Sequence, residues 1–306
     1  VNAPIVIGVS PFADRRPVVS WAANEAVLRG RAVRLVHVCQ ELQWFGTSGV
    51  DALFGPRVQG EQVLREVEAA VRAAHPALEV TCGIADGDPA EVLVEESRAA
   101  ELVVVGTHDQ GRFADLVLGS VSRELVRRSA APVITVPNLE RPCVDGPVVV
   151  GVDGTEVSQE ALRFALTEAS RTGRRLYAVH CWPTPLDRAE RSLVRDEECR
   201  VLAEALAGVS EEFPDVYVIP VLSGGDPAEE LVWRSRDASM VVLGSRCRGA
   251  LAAVVLGSVG RDVLRHASCP VAVVCPQDAR VAPNSGRRVT SRDGDRSRSR
   301  PAGRRS

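Results

Sequence analysis

Two short stretches carry the residue types of an anion cradle. Gly244-Ser245-Arg246-Cys247 lies just ahead of Gly257-Ser258-Val259-Gly260. A glycine at a strand end lets backbone approach a ligand closely. A glycine and serine opening a helix offer N–H groups, a hydroxyl and the positive end of the helix dipole. That chemistry suits a phosphate. In Val148-Val-Val-Gly-Val-Asp153-Gly154-Thr155, Asp153 stands at the carboxyl end of a strand. There it can accept a hydrogen bond from a base or a ribose; capping the helix that begins near Glu156 is the competing role. Cys247 sits between Arg246 and Arg248, a setting that lowers a thiol's pKa and suits a redox sensor, against the reading of a passive substitution. The chain has no Ser/His/Asp order, no H-E-x-x-H and no lysine at all, hence no P-loop lysine. No catalytic machinery is visible, and the chain is read as a non-enzyme.

The elements that position these residues occur twice. Gly87-Asp88-Pro89-Ala90-Glu91 returns as Gly225-Asp226-Pro227-Ala228-Glu229, Gly106 as Gly244, Leu118-Gly119-Ser120-Val121 as Leu256-Gly257-Ser258-Val259, and Ala131-Pro132-Val133 as Cys269-Pro270-Val271, all 138 positions apart. Earlier landmarks, Gly8 against Gly151 and His37 against His180, are 143 apart. A domain-sized period means duplication of a whole fold, since solenoid units of roughly 20 to 50 residues cannot fold alone.

Each copy reads as five strands alternating with four helices. In the first, Ile5 to Val9, Val33 to Val38, Val80 to Ile84, Leu102 to Val105 and Val133 to Val136 are the strands. Helices are expected over Pro17 to Arg29, ending at Gly30, and over residues 61 to 74, after a loop rich in glycine (Gly46, Gly49, Gly55, Gly60). Asp88-Pro89-x-Glu91 and Asp226-Pro227-x-Glu229 start helices as capping boxes, a role preferred to ligand contact. Short apolar runs between helices indicate parallel strands buried on both faces. The result is an open, doubly wound α/β domain with a mainly parallel five-stranded sheet, whose ligands lie beyond the strand carboxyl ends. The last strand of each copy, Val133 to Val136 and Val271 to Val274, is an apolar edge that the sister copy can cover, pairing the halves as an intramolecular pseudo-dimer. The expected domains are 1–138 and 147–278, with a linker at 139–146 and a disordered Arg-rich tail at 279–306.

Composition narrows the rest. Residues 281–306 hold eight Arg against two Asp, while the whole chain is -3, so the body is acidic. With no aromatic residue in the tail for base stacking, nucleic acid is disfavoured as a partner. No apolar run approaches the ~20 residues of a membrane span, and the N-terminal stretch lacks a leader pattern. The eight cysteines show no C-x2-C spacing, so metal and disulfide frameworks are not expected and reduced thiols in a cytoplasmic protein are. His37 and His180, at the ends of second strands, are expected to hold satisfied hydrogen bonds.

Together these features resemble the universal stress protein family, whose nucleotide-binding members show G-x2-G-x9-G-[ST] after strand four and an Asp at the end of strand one. The resemblance spans residues 3 to 137 and 146 to 276. It implies a Rossmann-like fold, pairing through strand five and, in many members, adenine-nucleotide binding without turnover. Carried onto this chain, it implies a second-half site of Asp153, Cys181, Gly244, Cys247, Gly257, Ser258 and Val259, with ATP as ligand, with or without Mg2+, and cyclic AMP as runner-up. Cys247 stands where the family has its second Gly, and Gly260 where a Ser or Thr often lies. The first half is a degenerate counterpart: Ser10, Val38, Gly106, Asp109, Gly119 and Ser120, with Ser10 replacing the strand-one Asp and Asp109 the second Gly. A fixed carboxylate about 5 Å from a phosphate charge, at an effective dielectric of about 20, costs about 3 kcal/mol, roughly a hundredfold in affinity. The expected function is a stress-response regulator that binds ATP in its second half; the alternative is an interaction scaffold with both pockets decayed. A further homodimer and an unidentified protein partner remain open.

Overall fold

The computed structural model describes residues 2–11, 15–39, 50–107, 119–138, 143, 145–182, 188–245, 257–275 and 290–291. The first half contains β1 (Ile5–Gly8), α1 (Arg16–Arg29), β2 (Val33–Cys39), α2 (Val50–Ala74), β3 (Val80–Asp86), α3 (Pro89–Glu96), β4 (Leu102–Gly106), α4 (Ser120–Arg128) and β5 (Val133–Val136). The second repeats it as β6 (Val148–Gly151), α5 (Glu156–Thr172), β7 (Leu176–Trp182), α6 (Arg188–Ser210), β8 (Val218–Gly224), α7 (Pro227–Arg234), β9 (Met240–Gly244), α8 (Ser258–His266) and β10 (Val271–Val274).

Each half is the expected parallel five-stranded sheet, in the order β3-β2-β1-β4-β5 and its counterpart. The two are one continuous sheet because β5 and β10 pair antiparallel, with Val133 opposite Val273, Ile134 opposite Ala272 and Thr135 opposite Val271. The edge that each copy would expose is thereby closed by its sister. Alternation along the strands sorts side chains to the two faces. Ile5, Ile7, Val104, Ile134, Val148, Val150 and Ala272 join a core under α1, α2, α5 and α6. Val6, Val103, Val133, Val149, Val241 and Val271 join another under α3, α4, α7 and α8. Both cores run through the seam between the halves.

Several local expectations are met in atomic detail. Gly30 ends α1 in the left-handed conformation, φ 60°. Asp88 accepts hydrogen bonds from the N–H groups of Ala90 and Glu91, and Asp226 from those of Ala228 and Glu229. Glu91, however, does not complete its capping box by reaching back: its carboxylate pairs with Arg128 of α4, a tertiary partner of opposite charge. The second helix also begins earlier than expected, at Val50, and carries Gly55, Pro56 and Gly60 within it. Propensity stops a sequence reading at such residues, but Gly60 has a tertiary reason to be there. A Cβ on it would collide with the His37 ring, whose Nε2 would lie 2.7 Å away.

The linker falls mainly outside the described residues, as does most of the C-terminal tail. Within it, Thr290–Ser291 form β11, antiparallel to β3 at Ile84 and Gly83. Strand β3 is otherwise an edge, and its open backbone groups accept an extended segment. Among the described residues no helix is long and apolar enough to cross a membrane.

Candidate nucleotide site

The carboxyl ends of β6, β7 and β9 and the start of α8 enclose a cleft of about 430 Å³ in the second half. It lies where strand order reverses, with β6 between β7 and β9, the position where open α/β sheets bind ligands. Asp153, Cys181, Gly244, Gly257 and Val259 all line it, although they are scattered over more than a hundred positions of the chain. Ser258, between two lining residues, heads α8 and is exposed. Cys247 lies outside the described residues.

Local structure explains why Asp153 points outward. The helix cap next to it is Thr155, not Asp153: Thr155 Oγ1 accepts from the Ser158 N–H at 3.3 Å. Asp153 Oδ1 in turn accepts from the Thr155 N–H at 3.0 Å and from its hydroxyl at 2.6 Å. The side chain is therefore oriented as the partner of the capping residue, in an Asx-type turn with Gly154 at φ 76°. At the opposite wall, Gly244 is required by close approach: a Cβ there would lie 2.5 Å from the Val157 carbonyl oxygen. At α8 the N-cap residue is Gly257, which supplies no side-chain hydrogen bond. Its first-turn N–H groups thus lack the cap that Asp226 gives α7.

Ser245 is the residue that sequence reasoning missed. It lines the same cleft, is only 4 % exposed, and its Oγ is buried without a hydrogen-bond partner among the described residues. Buried hydroxyls are nearly always paired, and leaving one unpaired costs about 1–3 kcal/mol. Its place directly after Gly244 was the available signal. Cys181 lines the wall; burial, with Glu230 adding and Arg234 opposing, pushes its thiol up to about 11.

The first half has a matching cleft of about 320 Å³. Ser10, Val38, Gly106, Gly119 and Ser120 line it, and Pro56 and Gln59 of α2 crowd one side. Asp109 lies outside the described residues. The two strand-end histidines are held as expected, His37 Nδ1 against the Val9 carbonyl at 2.9 Å and His180 Nδ1 against that of Val152 at 2.7 Å. Only in the second half is the ring also shown with a carboxylate, Glu198 at 2.6 Å from Nε2.

One expectation about cysteines is overturned. Cys39, Cys82, Cys143, Cys181, Cys199 and Cys269 are free, but Cys275 is disulfide-bonded. Sequence spacing finds local frameworks only, whereas a disulfide needs two Cα atoms about 4.4–6.8 Å apart in space. Among the described residues no group of three or more His, Cys, Asp or Glu side chains is placed to hold a metal ion.

Comparison with known proteins agrees with the duplicated architecture. The profile of the universal stress protein family matches twice, at residues 2–137 and 146–275. Universal stress protein Rv2005c of Mycobacterium tuberculosis is 35% identical over 282 residues, covering 88% of this chain and 96% of that protein. Universal stress protein Rv1996 of the same species is 34% identical over 309 residues, covering 92% and 98%. Among solved structures, a universal stress protein from Archaeoglobus fulgidus superposes with a TM-score of 0.65 at 21% identity, covering 88% of this chain and 95% of that one. At that identity the likeness concerns the fold alone.

Proposed function

The chain belongs to the universal stress protein family, and from that premise we propose that it is a stress-response regulator whose second half binds an adenine nucleotide, ATP. The observation that carries the reading is Ser245: a buried hydroxyl without a partner among the described residues, on the wall of a cleft, at the strand end next to a helix whose N-cap glycine makes no side-chain hydrogen bond. A phosphate oxygen accepts from such a hydroxyl and from first-turn N–H groups together. The phosphates lie against Gly244, Ser245, Gly257 and Ser258, and the adenosine end lies toward Asp153 and Cys181. Asp153 accepts from the ribose or base there. Any Mg2+ arrives on the phosphates. Cyclic AMP, which lacks a triphosphate tail, is the competing ligand. The role is regulatory: bound nucleotide biases the packing of the paired halves.

The first half is the weaker site. Ser10 replaces the carboxylate that Asp153 provides.

The test is mass spectrometry of ligand released from the purified chain, followed by titration calorimetry with ATP, cyclic AMP and Mg2+ on wild type, Asp153→Ala and Ser258→Ala. One-site ATP binding weakened in both variants is the expected result. No binding of either nucleotide by wild type would sink the proposal and leave a scaffold whose pockets have both decayed.

A further inference from the structure

Where the halves meet, the duplication brings a residue face to face with its own counterpart. Glu25 on α1 and Glu168 on α5 are 143 positions apart, the offset that also relates Gly8 to Gly151 and His37 to His180. Both side chains are buried, 8% and 3% exposed. Both carboxylates meet the Arg29 guanidinium: Arg29 Nε donates to Glu25 Oε1 at 2.5 Å, and Arg29 Nη2 donates to Glu168 Oε1. The Arg29 side chain is itself only 4% exposed. The position equivalent to Arg29 in the second copy is Thr172, so the pair shares an arginine that the repeat did not duplicate.

The charged groups facing this pair come from every element packed around it. Helix α1 supplies Glu25 and Arg29. Helix α5 supplies Glu168 and Arg171, whose Nη1 lies 2.9 Å from Glu168 Oε1 and 3.7 Å from Glu25 Oε1. Glu101, ahead of β4, accepts from Arg29 Nη1 at 3.0 Å and is also paired with Arg31, which follows α1. The Phe164 ring closes the site, 5.8 Å from the Arg29 guanidinium carbon. Arg29 is thus divided among three carboxylates, and two of these are adjacent and nearly dry.

We propose that Glu168, buried beside Glu25, forms a proton-operated latch between the halves: with Glu168 carrying its proton, α1 and α5 are held together, and loss of that proton loosens the contact. Two carboxylates in one buried site ionise together only against desolvation and mutual repulsion. Burial is the largest influence on Glu168; with Glu25 adding to it and Arg29 and Arg171 opposing, its carboxyl is pushed up to about 7. The folded state therefore holds a proton that the unfolded chain has released. The stabilisation is fully present below the ordinary carboxylate pKa and is lost as pH rises through about 7. This device goes beyond the nucleotide reading and does not depend on it.

The experiment uses the full chain. Carboxyl-labelled glutamate NMR on wild type should show one carboxyl titrating about two pH units above the ordinary range. Thermal midpoints measured from about pH 5 to pH 8.5 should fall more steeply with rising pH in wild type than in Glu168→Gln, because an amide cannot lose the proton, or in Glu25→Gln, which removes the neighbouring charge that raises Glu168. All glutamates titrating in the ordinary range in wild type would overturn the latch, and so would a Glu168→Gln profile parallel to wild type. The NMR arm stands even if a variant does not fold.

Discussion

Ile134 on β5 stands directly opposite Ala272 on β10 in the antiparallel seam between the halves. Both are completely buried and belong to the core that lies under α1, α2, α5 and α6. A large residue of one copy is thus matched to a small one of the other. The seam is interior, and the halves are expected to unfold together. Ile134→Ala should remove about 2–5 kcal/mol of stability, the usual cost of truncating a buried isoleucine, and do so for the whole chain at once. Urea denaturation followed by two probes, one in each half, checks this. Two separated transitions in wild type would show that the seam does not couple the halves.

Ser245 gives a prediction with opposite signs in two measurements. Ser245→Ala removes a buried hydroxyl that has no partner among the described residues, so the ligand-free protein should gain stability, by up to about 1–3 kcal/mol. The same change should weaken ATP about 5- to 30-fold, the equivalent of about 1–2 kcal/mol. Gly244→Ala is expected to harm both, because its methyl would press on the Val157 carbonyl. Differential scanning calorimetry with and without ATP reads both effects. A Ser245→Ala protein less stable than wild type without ligand would show that the hydroxyl is already satisfied.

Cys181 lines the second cleft with its thiol raised to about 11 by burial. At pH 8 about one molecule in a thousand carries the thiolate there, so alkylation should be at least about a hundredfold slower than for an ordinary exposed thiol. Cys199 is exposed and serves as the internal comparison. Iodoacetamide labelling at pH 8, resolved by peptide mass spectrometry, should modify Cys199 first. Equal rates would mean that the cleft wall opens readily to solvent.

Much of this protein is legible in one dimension because its signals are local. Buried parallel strands write themselves as short apolar runs, and Asp88 and Asp226 announce helix starts through bonds to residues two and three positions away. The repeat itself names the fold class, the number of domains and the edge strands that pair. The candidate site was readable for a similar reason: Gly244, Gly257 and Asp153 mark strand and helix ends, and strand ends of such a sheet converge on one cleft.

What the sequence by itself determined, then, is the order of elements, their duplication and the strand ends at which a ligand would lie. Tertiary structure decided the properties that depend on proximity and burial. Glu91 left its own helix cap for Arg128 because a guanidinium from α4 lies within reach. Helix α2 holds a glycine at position 60 because the His37 ring leaves no room for a Cβ there. Burial left the Ser245 hydroxyl without a partner among the described residues, a condition no spacing rule registers. The meeting of Glu25 with Glu168 between Arg29 and Arg171 follows from docking the two copies about their common seam. An electrostatic environment is a sum over neighbours in space, and those neighbours come from segments that the sequence holds far apart.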